Sequence, residues 1–194
     1  GGFDLWPRPA PFSCVFQTFS KRESDRLVQA GDRVCVEACA KESGMDSCFD
    51  VIIFAAPRQA DELRAEVAQA LDRLVDNGLF LCGAPRNAGG MRLEKTLSEA
   101  GLLDVQKDSR HHCRIAWGRK PDAAKTGRQE KARLESWKQL GRVAQNDSGY
   151  FSCPGLFGWD RVDQGSALLI ESLPGGLSGT VGDFGCGYGF LSVQ

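Results

Sequence analysis

The sequence has no apolar stretch long enough to cross a membrane. Its longest strongly apolar run covers residues 51–56, whereas a membrane-spanning helix needs about 20 residues. The first four residues, Gly-Gly-Phe-Asp, lack the basic and apolar regions of a secretion signal. With 42% hydrophobic and 25% charged residues, the chain has the composition of a globular protein and not of a disordered one. We therefore expect a cytoplasmic protein with no membrane partner.

The sequence also lacks the cysteine and histidine spacings of a metal site. Its eight cysteines include no Cys-x-x-Cys pair, and several lie in apolar runs, which favours reduced and mostly buried thiols over a disulfide framework. The two histidines stand together in His111-His112-Cys113, and no second pair of ligands follows at zinc spacing. The sequence therefore predicts no metal cofactor.

Positive charge is scarce outside one segment of a chain whose net charge is -1. Residues 107–142 hold eleven Lys and Arg against four Asp and Glu, which leaves 13 basic against 21 acidic residues in the rest of the chain. A basic segment on an acidic body suits the phosphates of a nucleic acid. Arg128, Lys131 and Lys138 are the predicted RNA contacts. The alternative is a solvated helix face, whose cations extend into water or pair with the glutamates of the same helix.

The middle of the chain alternates strand and helix patterns. The apolar, β-branched run at residues 49–57 predicts a strand that is buried on both faces. Residues 63–74 carry apolar side chains at helical spacing, and the Asn-Gly pair that follows is predicted to end this helix. A second strand at 78–83 and a second helix at 91–100 come next. This alternation predicts a parallel sheet with helices on both faces.

The region that follows predicts a reversed strand. Residues 102–107 and 113–118 have the pattern of two further strands, joined by a polar turn at 108–110. The domain is therefore expected to end in an antiparallel pair. Upstream, strands are predicted at 15–19 and 33–38, with a short helix between them. Together these elements predict an α/β fold.

Three glycines form a loop near the end of the chain. The sequence predicts a strand that ends in Asp183, which is followed by Gly185-x-Gly187-x-Gly189. At the carboxyl edge of a sheet, such a loop permits tight turns and the close approach of a ligand, and Asp183 can accept a hydrogen bond from a cationic amine. The spacing differs from the Gly-x-Gly-x-x-Gly of dinucleotide sites and favours S-adenosylmethionine. A purely structural glycine turn is the alternative.

Three motifs in the second half of the chain occur together. They are Pro154-Gly155-Leu156-Phe157, Asp163-Gln164-Gly165-Ser166-Ala167-Leu168-Leu169 and Asp183-Phe184-Gly185-Cys186-Gly187-Tyr188-Gly189. In order and spacing this set resembles the opening of the bacterial ribosomal RNA guanine-N2 methyltransferases of the RsmC and RlmG kind. The resemblance implies two Rossmann-like class I methyltransferase folds in tandem. The N-terminal copy is degenerate and has lost cofactor binding, and the C-terminal copy binds S-adenosylmethionine and methylates guanine.

The resemblance also implies a partner and a set of site residues. The partner is ribosomal RNA or a ribosomal subunit. The residues that line the cofactor would be Asp183, Gly185, Cys186, Gly187 and Gly189, with Phe157, Asp163, Gly165 and Ser166 packed nearby. Gly182 departs from the aliphatic residue that the family usually has before the acid.

The catalytic motif of that family, Asn-Pro-Pro-Phe, is missing from a chain that has no Pro-Pro pair. At the equivalent place the first domain has Ala55-Ala56-Pro57-Arg58, which offers no amide or carboxylate to a nucleobase amine. We therefore expect no catalytic residue in this chain. The 194 residues alone are expected to be inactive.

We expect three parts in the chain. Residues 1–120 would form the degenerate domain, residues 121–148 a basic linker with a helix at 128–144, and residues 149–194 the start of the methyltransferase domain. The last part is much shorter than a typical domain of about 100–150 residues, so the chain is expected to stop soon after the first cofactor motif. The predicted function is the N-terminal portion of an S-adenosylmethionine-dependent rRNA methyltransferase, contributing RNA binding or scaffolding. The alternative is a non-catalytic RNA-binding or scaffolding module.

Overall fold

A computed structural model describes residues 49–175 and 179–194 and, for the backbone alone, Val15–Gln17 and Arg33–Cys35. The two short segments are strands β1 and β2, and they pair in parallel. The strands predicted at these two places are therefore confirmed. The helix predicted between them lies outside the described residues.

The chain divides into two compact units, Gly1–Met45 and Asp46–Gln194. The first unit contains β1 and β2, and the second contains all the other described elements. This division does not test the boundaries proposed at residues 120 and 148, which stay predictions.

The second unit is built around a mixed sheet. Its elements in chain order are β3 (Phe49–Ala55), α1 (Ala60–Arg73), β4 (Leu74–Pro85), α2 (Leu93–Glu99), β5 (Leu103–Arg110), β6 (Cys113–Arg119), α3 (Arg128–Leu140), β7 (Ala144–Gln145), β8 (Phe151–Ser152) and α4 (Gln164–Ser172). The four-stranded sheet has the order β3-β4-β6-β5. β3 and β4 are parallel, and β6 is antiparallel to both of its neighbours. The predicted reversed strand is confirmed, and it lies between β4 and β5.

An apolar core joins the sheet to three helices. Helix α1 begins where the Gln59 side chain accepts a hydrogen bond from the Glu62 backbone N–H at 2.8 Å, a cap that satisfies one of the free donors of the first turn. Every fourth residue of α1 from Leu63 onward is buried, because one helical face packs on the sheet. The buried core includes Leu63, Val67 and Leu71 of α1, Leu74, Phe80 and Cys82 of β4, Leu93 and Leu97 of α2, and Trp137 of α3.

Strand β3 is buried on one face only. Ile52 and Phe54 pack against the core, whereas Val51 is 50% exposed and Ile53 is 59% exposed. The prediction that this strand is buried on both faces is therefore wrong. Successive side chains of a strand point to opposite faces. Helices α1, α2 and α3 pack on the face that carries Phe80, the partner of Ile52 in the β3–β4 register.

Helix α1 ends earlier than the sequence predicted. Its last residue is Arg73, and Leu74 is already extended. The Lys120 ammonium donates hydrogen bonds to the carbonyl oxygens of Leu71 at 2.8 Å and Leu74 at 2.6 Å, which satisfies acceptors at the helix end. Asn77 does adopt a left-handed φ of 62°, but it does so within β4 and not as a helix cap.

The hairpin between β5 and β6 turns at His111 and His112, and not at the predicted residues 108–110. Arg110 pairs with Cys113, so the loop has two residues. Both histidines have positive φ angles, 46° and 63°. Positive φ at both central positions is the geometry that matches the twist of two-residue hairpins, although histidine is not a residue that favours it.

The described cysteines are less buried than predicted. Cys82 is buried, Cys153 is intermediate, and Cys113 and Cys186 are exposed; none of these four forms a disulfide. Burial raises the pKa of the Cys82 thiol to about 12, so this thiol stays protonated and inert at neutral pH.

None of the helices in residues 49–175 and 179–194 combines the length and apolarity that a bilayer crossing would need.

Candidate functional site

Helix α4 begins at the second of the three sequence motifs. The Asp163 carboxylate accepts a hydrogen bond from the Ser166 backbone N–H at 3.0 Å and caps the helix. A Cβ atom on Gly165 would lie 3.0 Å from that same carboxylate oxygen, so a small residue suits the position. In this structure, Asp163, Gly165 and Ser166 thus form a helix start.

The glycine loop has the backbone conformation that its composition predicts. Gly185, Gly187 and Gly189 all have positive φ angles, 82°, 56° and 85°, which L side chains adopt only with strain. The Gly189 N–H donates to the Cys186 carbonyl at 2.8 Å and closes a turn. A Cβ atom on Gly185 or Gly189 would have nothing within 4 Å, so the loop borders open space that a ligand could occupy.

The segment before the loop does not form the strand that the sequence predicts. Residues 180–183 have no regular secondary structure, and Val181 is 66% exposed. A strand needs a hydrogen-bonded neighbour, and no described strand pairs with these residues. Asp183 is intermediate in exposure, and its carboxylate accepts a hydrogen bond from the Ser192 hydroxyl at 2.6 Å.

The structure brings the three motifs together. A Cβ atom on Gly187 would lie 3.9 Å from the Phe157 carbonyl oxygen, and one on Gly158 would lie 3.7 Å from the Asp163 Cβ and 3.8 Å from the Tyr188 ring. The Tyr188 hydroxyl also donates to the Arg161 carbonyl at 3.4 Å. The first and second motifs therefore form one cluster with the glycine loop.

The residues of this cluster fit S-adenosylmethionine in two respects. Glycines with positive φ beside open space allow a ligand to approach the main chain. The Asp183 carboxylate offers an acceptor for a cationic amine. The carboxylate fits a ligand that carries an ammonium group, and the glycines fit one that lies close to the main chain. Cys186 is exposed in the same loop.

An open cleft of about 540 Å³ adjoins the first motif of this cluster. It is lined by Arg58, Gln59, Ala60, Glu62, Arg92, Gly155, Leu156 and Phe157. Phe157 is 74% exposed, so its ring is available to a ligand, and this residue belongs to the predicted cofactor neighbourhood. Sequence reasoning missed Arg58 and Arg92 as functional candidates. The signal that could have found Arg58 is its place directly after a predicted strand, where ligands of open α/β sheets bind.

Glu62 and Glu66 lie one helical turn apart on α1. Burial raises the pKa of Glu62. Burial, and secondly the nearby Glu62, raise the pKa of Glu66 to about 7. A Cβ atom on Gly155 would lie 2.6 Å from a Glu62 carboxylate oxygen, so this glutamate packs against the backbone of the first motif.

The three predicted RNA contacts on α3 differ in their surroundings. Arg128 and Lys131 are exposed, and no carboxylate in the described part of the chain pairs with either of them. The Lys138 ammonium pairs with Asp72 of α1 at 2.6 Å and with Glu135 at 2.7 Å. Burial opposes the charge of Lys138, but these two hydrogen bonds outweigh it and raise its pKa. Lys138 is therefore held by one carboxylate of α1 and one of its own helix, and its RNA contact stays a prediction.

Other cations of the basic segment are also paired within the protein. Lys107 pairs with Glu94, and Lys125 pairs with Asp122 at 3.3 Å.

The described residues contain no group of three His, Cys, Asp or Glu side chains that could hold a metal ion.

The mixed sheet with its helices is a Rossmann-like α/β fold. The structure is similar to that of the 16S rRNA N2 methyltransferase RsmC from T. thermophilus, solved in complex with AdoMet and guanosine. The TM-score is 0.57 and the identity 21%, over 81% of this chain and 41% of that one. This likeness confirms the predicted fold class.

The sequence comparisons agree with the structural one. Residues 149–194 match the family described as methyltransferase small domain. The ribosomal RNA small subunit methyltransferase C of Pseudomonas entomophila is 34% identical over 84% of this chain and 50% of its own length. The protein of the same name from Acinetobacter baumannii is 32% identical over 74% of this chain and 42% of its own length. The predicted resemblance to the RsmC kind of methyltransferase is confirmed, and the chain spans about half the length of these relatives or less.

Proposed function

We propose that this chain is part of an S-adenosylmethionine-dependent rRNA guanine-N2 methyltransferase that acts on ribosomal RNA in the cytoplasm. The observation that supports this most directly is the glycine loop beside open space, with Asp183 at its start, in a chain similar to the small subunit methyltransferase C proteins. When bound, S-adenosylmethionine would supply an electrophilic methyl group. Residues 149–194 would contribute one side of its site.

Each predicted cofactor residue has a distinct role in this proposal. The Asp183 carboxylate would accept from the ligand's amine, and Gly185, Gly187 and Gly189 would let the ligand reach the main chain around Cys186. The remaining predicted residues would support the loop from the side. The Phe157 carbonyl lies beside Gly187, and Asp163 lies with Tyr188 around Gly158. Gly165 and Ser166 form the start of α4. None of these residues is assigned a proton transfer, and we propose no catalytic residue in this chain.

The remaining described part would hold the substrate. After β3, Ala55 and Ala56 lead into Pro57 and Arg58, so this sheet presents no amide or carboxylate where a nucleobase amine would need one. A binding or scaffolding role suits such a domain. Arg128 and Lys131 of α3 would contact RNA phosphates, because both are exposed and free of carboxylate partners in the described part.

Calorimetric titration with S-adenosylmethionine tests the cofactor site. In the full-length protein, Asp183→Asn should weaken binding about tenfold or more, because it removes a charge-assisted hydrogen bond. The matched control is Asp147→Asn, an exposed carboxylate in the turn before β8, which should leave the affinity unchanged. Equal affinities for parent and Asp183→Asn would contradict the assignment.

Transfer of a labelled methyl group to rRNA distinguishes the two candidate functions. A methyltransferase should label guanine N2 in rRNA from cells that lack the protein. The alternative is a non-catalytic RNA-binding or scaffolding module, which the missing amide and carboxylate after β3 favour for residues 49–120. That module would bind the same rRNA and leave it unlabelled.

A further inference from the structure

The carboxyl edge of the four-stranded sheet carries four arginines, which we call the basic edge. β3 and β4 are parallel, so their C-terminal ends meet at this edge, and the antiparallel β6 begins there. Arg58 follows β3, Arg86 follows β4, Arg92 directly precedes α2, and Arg114 lies opposite Ala84 at the start of β6. Residues scattered over 57 positions of sequence thus reach one surface through the topology of the sheet.

Contacts between the loops make this surface continuous. Arg92 Nη1 donates to the Arg58 carbonyl oxygen at 3.3 Å. A Cβ atom on Gly89 would lie 3.6 Å from Arg58 Cα, so the loop after β4 packs directly on the loop after β3. On the other side, the Arg86 N–H donates to the His112 carbonyl at 2.8 Å, which ties that loop to the hairpin tip.

The charges of the basic edge are not neutralised within the protein. In residues 49–175 and 179–194, no carboxylate forms an ion pair with any of its four arginines. Arg58, Arg86 and Arg92 are exposed, and Arg114 donates to the Ser109 hydroxyl at 3.2 Å. By contrast, Lys107, Lys125 and Lys138 of the basic segment pair with acidic side chains. The basic edge therefore keeps donors for an external anion.

The cleft described above adjoins this edge. Arg58 and Arg92 line it on one side, and the exposed ring of Phe157 lines it with Leu156. A flat apolar ring next to two guanidinium groups suits a nucleotide, whose base stacks on aromatic side chains and whose phosphate pairs with arginine. Glu62 also lines the cleft, and burial raises the pKa of its carboxyl group.

We infer that the basic edge, with its cleft, binds single-stranded ribosomal RNA: Arg58, Arg86, Arg92 and Arg114 contact phosphates, and one unpaired base enters the cleft beside Phe157. Single-stranded RNA fits better than a duplex, because only an unstacked base can leave its strand and stack on a side chain. The inference rests on the proposed function for the nature of its partner. It adds a surface that is distinct from α3.

The test measures the salt dependence of RNA binding by the full-length protein. The probe is a short single-stranded RNA oligonucleotide of mixed sequence, and the same RNA annealed to its complement is the comparison. The edge variant combines Arg58→Gln with Arg86→Gln, whose side chains make no hydrogen bond or ion pair in the described part. The control combines Lys95→Gln with Arg161→Gln, two exposed cations that pair with Glu99 and Asp160. Both variants remove two positive charges.

The edge variant should flatten the slope of log affinity against log salt by about 1.4, since each contact with a single-stranded phosphate contributes roughly 0.7. The control should keep the parent slope, and the single strand should bind more tightly than the duplex. The inference would be overturned if the edge variant kept the parent slope, or if the duplex bound more tightly than the single strand. Either result would leave the proposed function standing. Failure of the parent protein to bind either RNA would remove the RNA partner from both proposals.

Discussion

Glu66 is a half-buried carboxyl group without a hydrogen bond or ion pair in the described part of the chain. Glu66 lies one turn after Glu62 on α1. Leu63 and Val67 of the same helix, which are close to Glu66, are buried in the core. Burial disfavours its charged form, and the Glu62 carboxylate adds repulsion, so the pKa of Glu66 rises to about 7. A proton thus binds Glu66 more tightly in the folded chain than in the unfolded one. The stabilisation that this tighter proton binding gives the folded chain is complete below the ordinary pKa of 4.5. It is lost as the pH rises through the pKa of about 7.

Replacing Glu66 with glutamine should remove this pH dependence. We expect Glu66→Gln to raise the free energy of unfolding at about pH 8 by roughly 1 kcal/mol, less than the pKa shift alone would give because solvent screens the part-exposed group. Urea denaturation across the pH range measures it. Glu171→Gln, an exposed change on α4, should follow the parent profile. A Glu66→Gln curve as steep as that of the parent would show that another group titrates.

At the scale of elements, the β5–β6 hairpin shows how tertiary pairing can override local preference. The β6 register with β4 runs from Leu79↔Arg119 to Pro85↔Cys113, so the sheet fixes where β6 begins. The β5–β6 register then leaves His111 and His112 as the two turn residues. Both must take positive φ, which costs L-residues other than Asn and Gly free energy.

The double change His111→Asn with His112→Gly should relieve that strain. Asn-Gly is the preferred pair for turns with two positive φ angles, and we expect the free energy of unfolding to rise by about 1 kcal/mol. The Arg86 contact at the tip uses the residue 112 carbonyl and survives the change. Chemical denaturation reports the result. His111→Ala with His112→Ala keeps the positive φ without a favourable residue and should give no gain, and a stability loss in the Asn-Gly variant would contradict the geometry.

At the scale of the whole molecule, α3 has two different faces. Trp137 is buried, and Arg64 of α1 lies 5.9 Å from its ring centre. Lys138 links α3 to Asp72 of α1. On the outer face, Arg128 and Lys131 extend toward solvent. One helix can therefore attach to the sheet domain and still present cations to a partner.

The two faces should separate in mutational tests on the full-length protein. Arg128→Gln with Lys131→Gln should flatten the salt dependence of RNA binding by about 1.4 and leave stability unchanged. Lys138→Gln should lower the free energy of unfolding by about 1 kcal/mol and leave the salt slope unchanged. Filter binding across a salt series, together with urea denaturation, measures both effects. A flatter slope for Lys138→Gln would mean that this lysine exchanges its internal partners for phosphate.

The sequence alone determined the elements whose signal is local. The apolar spacing of Leu63, Val67 and Leu71 predicted α1, and the reversed strand at the end of the domain was predicted from the apolar pattern on each side of a polar turn. Gly185, Gly187 and Gly189 predicted a loop with tight turns, and all three have the positive φ angles that glycine adopts without strain. These inferences needed no knowledge of what packs against each segment.

The tertiary structure decided the features that depend on a distant partner. The carbonyl groups at the end of α1 find their donor in Lys120, which lies 47 positions after Arg73. The exposure of Val51 depends on which sheet face the helices cover. The pairing of Lys138 required Asp72 from another helix, and the basic edge required strand order. Local patterns encode the backbone conformation of a segment, because that depends on neighbouring residues. Burial, ion pairs and shared surfaces depend on contacts between segments, and only the folded chain forms them.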